Sequence, residues 1–259
     1  MLKGLYTAYT GMIHEQHRMD VLTNNLANAN TVGFKKEGAT SQSFDSVLAY
    51  KIKDTSQAGN LPKKIGNMSL GVKIGENYVD YSEGPIKETG NVLDMALSDR
   101  GFFTVEYTNK AGETSTMYTR DGNFTMTAQG YLVTQDGDFV LGDNGRRIRL
   151  DTNLEIGMDR MGNIYQDGEL VSTLQITDFE DYNYLERFGE NYFQPVDGAT
   201  PIEAETEVYS GYLELANMSV VTEMVNMIAI QRHYDANQKV ITTYDDTLDN
   251  AVNQTGRIR

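Results

Sequence analysis

Apolar residues recur every seven positions at both ends of the chain: Leu5, Met12, Met19 and Leu26 near its start, and Val220, Met227, Tyr234, Ile241 and Leu248 near its end. Between Leu2 and Ala27 there is no Pro, and only Gly4 and Gly11 oppose a helix. Alternating steps of three and four from Leu2 reach Leu5, Tyr9, Met12, Gln16, Met19, Thr23 and Leu26, six of the eight being apolar or aromatic. From Val220 the same stepping passes Met224, Met227, Gln231, Tyr234, Gln238, Ile241, Asp245, Leu248 and Val252. Such narrow stripes predict two amphipathic helices with seams of coiled-coil type. At about 1.5 Å per residue they would run about 40 Å and about 50 Å. Asn217 or Ser219 is placed to cap the second helix, Glu223 suits its positive end, and Gly256 offers a stop. Gln231, Gln238 and Asp245 either fix register inside the seam or sit at its wet edge; the pattern leaves both open.

Between the helices the period shortens. Asp121-Gly122, Asp136-Gly137, Asn144-Gly145 and Asp167-Gly168 are hairpin signals, because a type I′ turn needs positive φ at both central residues. The flanking segments 117–120, 123–127, 131–135, 139–141, 146–150, 164–166 and 170–176 suit short strands, as does Gly101–Tyr107. The expected fold is therefore α+β and mainly β, with N- and C-terminal helices forming a coiled-coil unit around an inserted antiparallel β-domain. Residues 1–30 hold the first helix, 31–75 an extended arm, 76–214 the β-domain and 215–259 the last helix. The arm scatters Lys35, Lys36, Lys51, Lys53, Lys63 and Lys64 among polar residues and Pro62, with a short helical turn expected at Phe44, Val47 and Leu48.

Charge and composition narrow the function. The net charge of -15 is concentrated in residues 76–214, which carry 9 Lys+Arg against 27 Asp+Glu, and this opposes nucleic acid as a partner. No cysteine is present, which removes disulfides and thiolate chemistry. No run approaches the roughly 18 apolar residues of a membrane span, and Tyr6, Thr7, Thr10 and His14 interrupt any cleavable signal, so neither membrane insertion nor Sec processing is expected. The histidines form no metal motif: His14 and His17 lie three apart, unlike a zincin pair, and read as helix-surface residues, while His233 is distant. The acid–Gly pairs do not fit a calcium loop, and no nucleophile elbow, phosphate loop or dinucleotide fingerprint occurs. Neither an enzyme, a cofactor nor a metal is expected.

The first helix ends in Leu22-Thr23-Asn24-Asn25-Leu26-Ala27-Asn28-Ala29-Asn30-Thr31-Val32-Gly33-Phe34-Lys35, a poor helix interior and a good helix stop. This stretch resembles the signature of the bacterial flagellar rod and hook family, carried by Asn24, Asn25, Leu26, Asn28, Thr31, Gly33 and Phe34. Residues 88–97, Arg100-Gly101-Phe102-Phe103 and Tyr118–Phe124 are similar to the family's β-domain, with Val92 where Pro is common and Ser98-Asp99 where Asn-Gly is common. Gly211–Glu214, Asn217, Glu223–Ile228, Gln231-Arg232 and Tyr234 are similar to its C-terminal motif, with His233 where a small residue is usual. The length fits a rod subunit better than the longer hook protein, leaning to the distal rod.

The resemblance implies a structural subunit of the basal-body rod that assembles into a helical tube around the export channel and transmits torque. It implies helical homo-oligomers, other rod and hook proteins and the flagellar type III export apparatus as partners, and a place in the basal body without a cleaved signal. The expected assembly interface is Leu5, Met12, Met19, Leu26, Val220, Met224, Met227, Tyr234, Ile241 and Leu248. The alternative reading is a secreted β-rich carbohydrate-binding or glycan-processing protein with a helical stalk.

Overall fold

A computed structural model of the chain describes residues 2–44, 47–51, 63–189 and 191–255. Lys53 and Pro62 of the expected arm, and the expected stop at Gly256, lie outside the described residues. The fold is mixed and mainly β, with a helix at each end, and it divides into two compact units. One comprises 1–26, 37–80 and 219–259; the other comprises 27–36 and 81–218.

The second unit is organised on the strand Phe102–Thr108, whose first four residues are all buried. It pairs antiparallel with 114–119 along one edge, and with both 139–140 and 176–179 along the other. Around it lies a nine-stranded sheet that also takes in 125–126, 132–133, 185–188, 192–195 and 201–203. Phe103 and Phe124 meet edge-to-face at 5.2 Å, inside a core that includes Met95, Val105, Met117, Leu132, Val140, Ile148 and Ile164. A smaller sheet orders 156–158, 163–166 and 169–173. The expected strand 146–150 makes only single bridges, from Leu141 to Arg147 and from Tyr131 to Arg149.

The turns differ from the expected type. Of the four hairpin signals, only Asp167-Gly168 places both central residues at positive φ, 53° and 81°. At Gly137 and Gly145 the glycine alone is left-handed, and it follows a tight turn: Gly137 N–H donates to Thr134 O, while Thr134 N–H donates to Asp138 O. The same pair of bonds joins Gly142, Gly145 and Arg146, and it recurs at Asn109–Glu113, Thr127–Tyr131 and Asp159–Asn163. This is the three-residue hairpin loop with a bulged glycine, which needs one left-handed residue rather than two. Asp121-Gly122 is no hairpin. A Cβ on Gly122 would overlap the Met95 carbonyl, so the glycine serves close backbone approach instead.

The first unit contains helix α1 (Leu2–Ala27), helix α2 (Val220–Asn250) and two β ribbons. Among the described residues of the expected arm, Glu37–Ser43 pairs with Val72–Val79, and Val47–Lys51 pairs with Lys63–Met68. A strand therefore replaces the helical turn expected at Val47 and Leu48, as β-branched and aromatic residues in Val47-Leu48-Ala49-Tyr50 favour once a pairing partner exists. The ribbon is tied to α1, where the Thr7 hydroxyl donates to Leu70 O at 2.9 Å. Ser219 stands at the start of α2 without a side-chain cap bond, and a turn of π-helix follows at Ala251–Thr255.

Candidate functional site

The two terminal helices run antiparallel and in step. Gly4 faces Tyr244, Gly11 faces Asn237, and Glu15 lies 3.6 Å from His233, so seven residues forward on α1 match seven back on α2. A Cβ on Gly4 would overlap the Tyr244 hydroxyl, and one on Gly11 would come within 2.9 Å of Asn237 Nδ2. The buried residues are Ala8, His14, Val21 and Asn25 on α1 and Glu223 and Ile230 on α2, where Met227, Tyr234, Asn237, Ile241 and Tyr244 are half-buried.

On α1 Leu5, Met12, Met19 and Leu26 are half-buried, as are Gly4, Gly11 and Arg18. Gly4 and Gly11 admit the bulky tyrosine and asparagine of α2, a packing feature that a hydrophobicity pattern undervalues. On α2 the row Met227, Tyr234 and Ile241 is half-buried, whereas Val220, Met224 and Leu248 are 39%, 50% and 42% exposed. Gln231, Gln238 and Asp245 share the exposed face with Met224, so these polar residues leave the intrachain seam uninterrupted.

His14 departs from the helix-surface position expected for it and joins a polar cluster. It is buried, with Nε2 2.9 Å from the Ser41 hydroxyl, and burial holds its pKa below the ordinary histidine value. Glu15 is the shared anion: Arg18 lies 3.2 Å from it, His233 3.6 Å and His14 3.9 Å.

The signature residues have separate tasks. Asn25 is buried and clamps one residue in both directions, donating to Glu37 O at 2.8 Å and accepting from Glu37 N–H at 2.9 Å. Asn28 accepts from Thr31 through both its carbonyl and its side-chain oxygen, closing a turn. Gly33 has φ 67°, donates to Glu214 O at 2.8 Å, and could not carry a Cβ without overlapping the Arg120 backbone. Phe34 is buried with the Arg187 guanidinium 4.2 Å from its ring centroid. Asn24 is exposed and Leu26 half-buried.

Beside this signature lies a group that sequence reasoning misses. Lys35 reads as one of the arm lysines; its ammonium is instead buried, 2.6 Å from Glu214 Oε1 and 2.8 Å from Ser82 O. Glu214 Oε1 also accepts from Gly84 N–H at 2.8 Å, and Arg120 approaches Oε2 at 3.5 Å. Asn217 completes the knot, accepting from Lys36 N–H at 2.8 Å and donating to Ser82 O at 3.1 Å. Burial lowers the Lys35 pKa, and the Glu214 charge opposes that shift. The segments 33–36, 82–84 and 214–217, each next to a boundary of the second unit, are thereby fastened to one another. The available signal was position: Lys35 follows the Gly33-Phe34 motif directly, and Glu214 ends the Gly211–Glu214 motif.

Among the described residues no group of three or more His, Cys, Asp or Glu side chains is placed to hold a metal ion, and no helix is long and apolar enough to cross a membrane. The arrangement consists of packing rows and fastening points.

Family models match these same regions. Residues 5–35 match the flagella basal body rod protein model, 96–171 the flagellar hook protein FlgE/F/G D1 domain, and 209–254 the flagellar basal body rod FlgEFG protein C-terminal model. The chain is 33% identical to the flagellar basal-body rod protein FlgG of Bacillus subtilis, over 98% of this chain and 99% of that one. It is 33% identical to the FlgG of Caulobacter vibrioides, over 95% and 97%. The flagellar hook-basal body complex protein FlhO of Bacillus subtilis is 30% identical over 100% of both chains. A helix-stop signature, a β-domain and a C-terminal helix that all match in order leave one assignment: the chain belongs to the family of flagellar basal-body rod proteins, structural subunits of the flagellum.

Proposed function

We propose that copies of this chain polymerise through their terminal helices into a helical tube, which encloses the export channel and transmits torque. In this reading α1 and α2 form a coiled-coil unit, the antiparallel β-domain is inserted between them, and no catalysis takes place. Other rod and hook proteins adjoin the tube at its ends, and the flagellar type III apparatus exports the subunit. Family membership supports this reading over the glycan-binding alternative.

The observation that carries it is an apolar face that pairing within the chain leaves open. On α2, Val221, Met224, Val225 and Ile228 are 50–72% exposed at the spacing of one helical face. On α1, Tyr6, Tyr9 and Ile13 do the same at 39–63%. Contiguous exposed apolar rows are expensive in water and mark surfaces that meet another chain. A second copy presents the same rows, and a contact between unlike faces that does not close generates a filament. Of the residues expected at the interface, Val220, Met224 and Leu248 supply exposed contact area. Met227, Tyr234 and Ile241 support the face by holding the helix pair, and Leu5, Met12, Met19 and Leu26 line its margin. The test is electron microscopy and sedimentation of concentrated protein, comparing the native chain with Met224→Asp. Rods from the native chain and their loss in a variant with unchanged circular dichroism are expected; equal polymerisation by both would refute the interface.

A further inference from the structure

Behind the Lys35–Glu214 pair one buried donor is left unused. Lys35 and Arg120 are both buried and share the Glu214 carboxylate, with Glu83 adding a further negative charge near Lys35. Arg120 is 3% exposed, its contact with Glu214 is long at 3.5 Å, and its Nε has no hydrogen-bond partner among the described residues. A buried guanidinium with an unused donor is costly, and the usual remedy is a carboxylate. Arg120 also lines a cavity of about 360 Å³, together with Tyr81, Ser82, Glu83, Asp99, Arg100 and Tyr182. The mouth is exposed at Ser82, Glu83, Asp99 and Arg100, whereas Arg120 is buried. Arg100 stands 5.9 Å from the Tyr182 ring centroid, and Arg120 5.4 Å from that of Phe102, so aromatic rings flank both guanidinium groups.

We propose that this cavity is a socket for a carboxylate side chain, Asp or Glu, of a second copy of the chain. The entering carboxylate accepts from Arg120 Nε at the buried end and pairs with Arg100 at the mouth. Charge supports a second copy as its source: residues 76–214 carry 27 Asp+Glu against 9 Lys+Arg, so the β-domain of a neighbour is rich in candidate side chains. The two acids already at the mouth leave the donor free. Asp99 is turned on the Arg100 backbone N–H at 2.7 Å, and Glu83 is exposed to water. Because Glu214 fastens the segments 33–36, 82–84 and 214–217, a carboxylate on Arg120 would bear directly on that fastening.

The socket rests on the polymerisation proposed above, and the experiment separates the two. Full-length protein is compared as dilute monomer and as rods, using phenylglyoxal to report arginine reactivity by mass spectrometry. In parallel, rods grown from mixed ¹⁴N and ¹⁵N copies of an Arg100→Lys variant are treated with a carbodiimide. Expected are loss of Arg100 reactivity in native rods and amide cross-links between the introduced amine and an Asp or Glu of the other isotopic copy. Rods in which Arg100 keeps its monomer reactivity, or cross-links confined to one copy, would overturn the socket while leaving polymerisation intact. If acetate added to monomer protects Arg100 and rods do not, the cavity takes free carboxylates only and the proposal fails. Absence of rods from the native chain would remove both.

Discussion

The Lys35 ammonium donates to the Glu214 carboxylate at 2.6 Å across 179 residues of sequence, and the two side chains are 1% and 2% exposed. One joins the signature that ends the first helix; the other closes the motif that precedes the last. Removing either leaves a buried charge without its partner, which costs far more than the pair itself contributes. Glu214→Gln is therefore expected to destabilise the β-rich unit by roughly 3–5 kcal/mol. Lys35→Met combined with Glu214→Leu should recover part of that loss, although Arg120 then remains unpaired. Urea unfolding of the two variants against the native chain measures both. A double variant that loses the sum of what Lys35→Met and Glu214→Leu lose singly would show that the pair is no coupled unit.

The Asn25 clamp is a second fastening point. Asn25→Ala strips partners from both the N–H and the C=O of Glu37. Leaving one such group buried and unsatisfied costs about 1–3 kcal/mol, and Asn25→Asp should cost at least as much, because it buries a carboxylate against the Glu37 carbonyl oxygen. Amide hydrogen exchange at Glu37 reads the result, with faster exchange than native expected in both variants.

Helix pairing depends on absent side chains. Gly11→Leu drives a branched side chain against Asn237, so α1 and α2 should separate although leucine is the better helix former. Gly11→Ala is the graded case. The expected outcome is retained helical circular dichroism with lost protection in the middle of α2, and a larger effect for Leu than for Ala.

Two buried groups, His14 and Asp121, contribute to stability with opposite pH dependence. Burial lowers the His14 pKa in the folded chain, so the unfolded chain takes up the proton first. Its contribution is complete above the unfolded value near 6.5 and declines as the pH falls below it, with Glu15 countering and Arg18 and His17 reinforcing the shift. Asp121 is the reverse: burial pushes its carboxyl up to about 6, with Asp136 and Asp94 adding to the rise. Its contribution is complete below pH 3.8 and is lost as the pH rises through about 6. Asp121→Asn should stabilise the protein by roughly 1–2 kcal/mol at pH 8 and have little effect at pH 4. A turned Asn191 amide would keep the contact, since Asn191 Nδ2 now donates to Asp121 and its own oxygen has no partner among the described residues. His14→Phe should flatten the acid side of the profile. Thermal unfolding across pH 4–8 tests both.

Much of this protein was legible in its sequence, because the signals concerned were local. The absence of Pro and the 3–4 stepping of Leu2–Ala27 and Val220–Asn250 specify helices, since backbone geometry within a few residues decides them. Strand-forming segments with glycine between them specify a β-domain, and the residues of the helix stop carried the family. Tertiary structure decided what each face meets. Which stripe of α1 is covered depended on Tyr244 and Asn237, more than 200 positions away, fitting over Gly4 and Gly11. Glu37–Ser43 of the arm became ribbon because Val72–Val79 lies beside it, and the hairpins took one left-handed glycine because strand pairing fixed their loop lengths. Lys35 looked like one surface lysine among six until Glu214 and Ser82 closed around it. A side chain's chemistry is written in the chain, but its burial is a property of distant partners, and burial is what turned that lysine into a fastening.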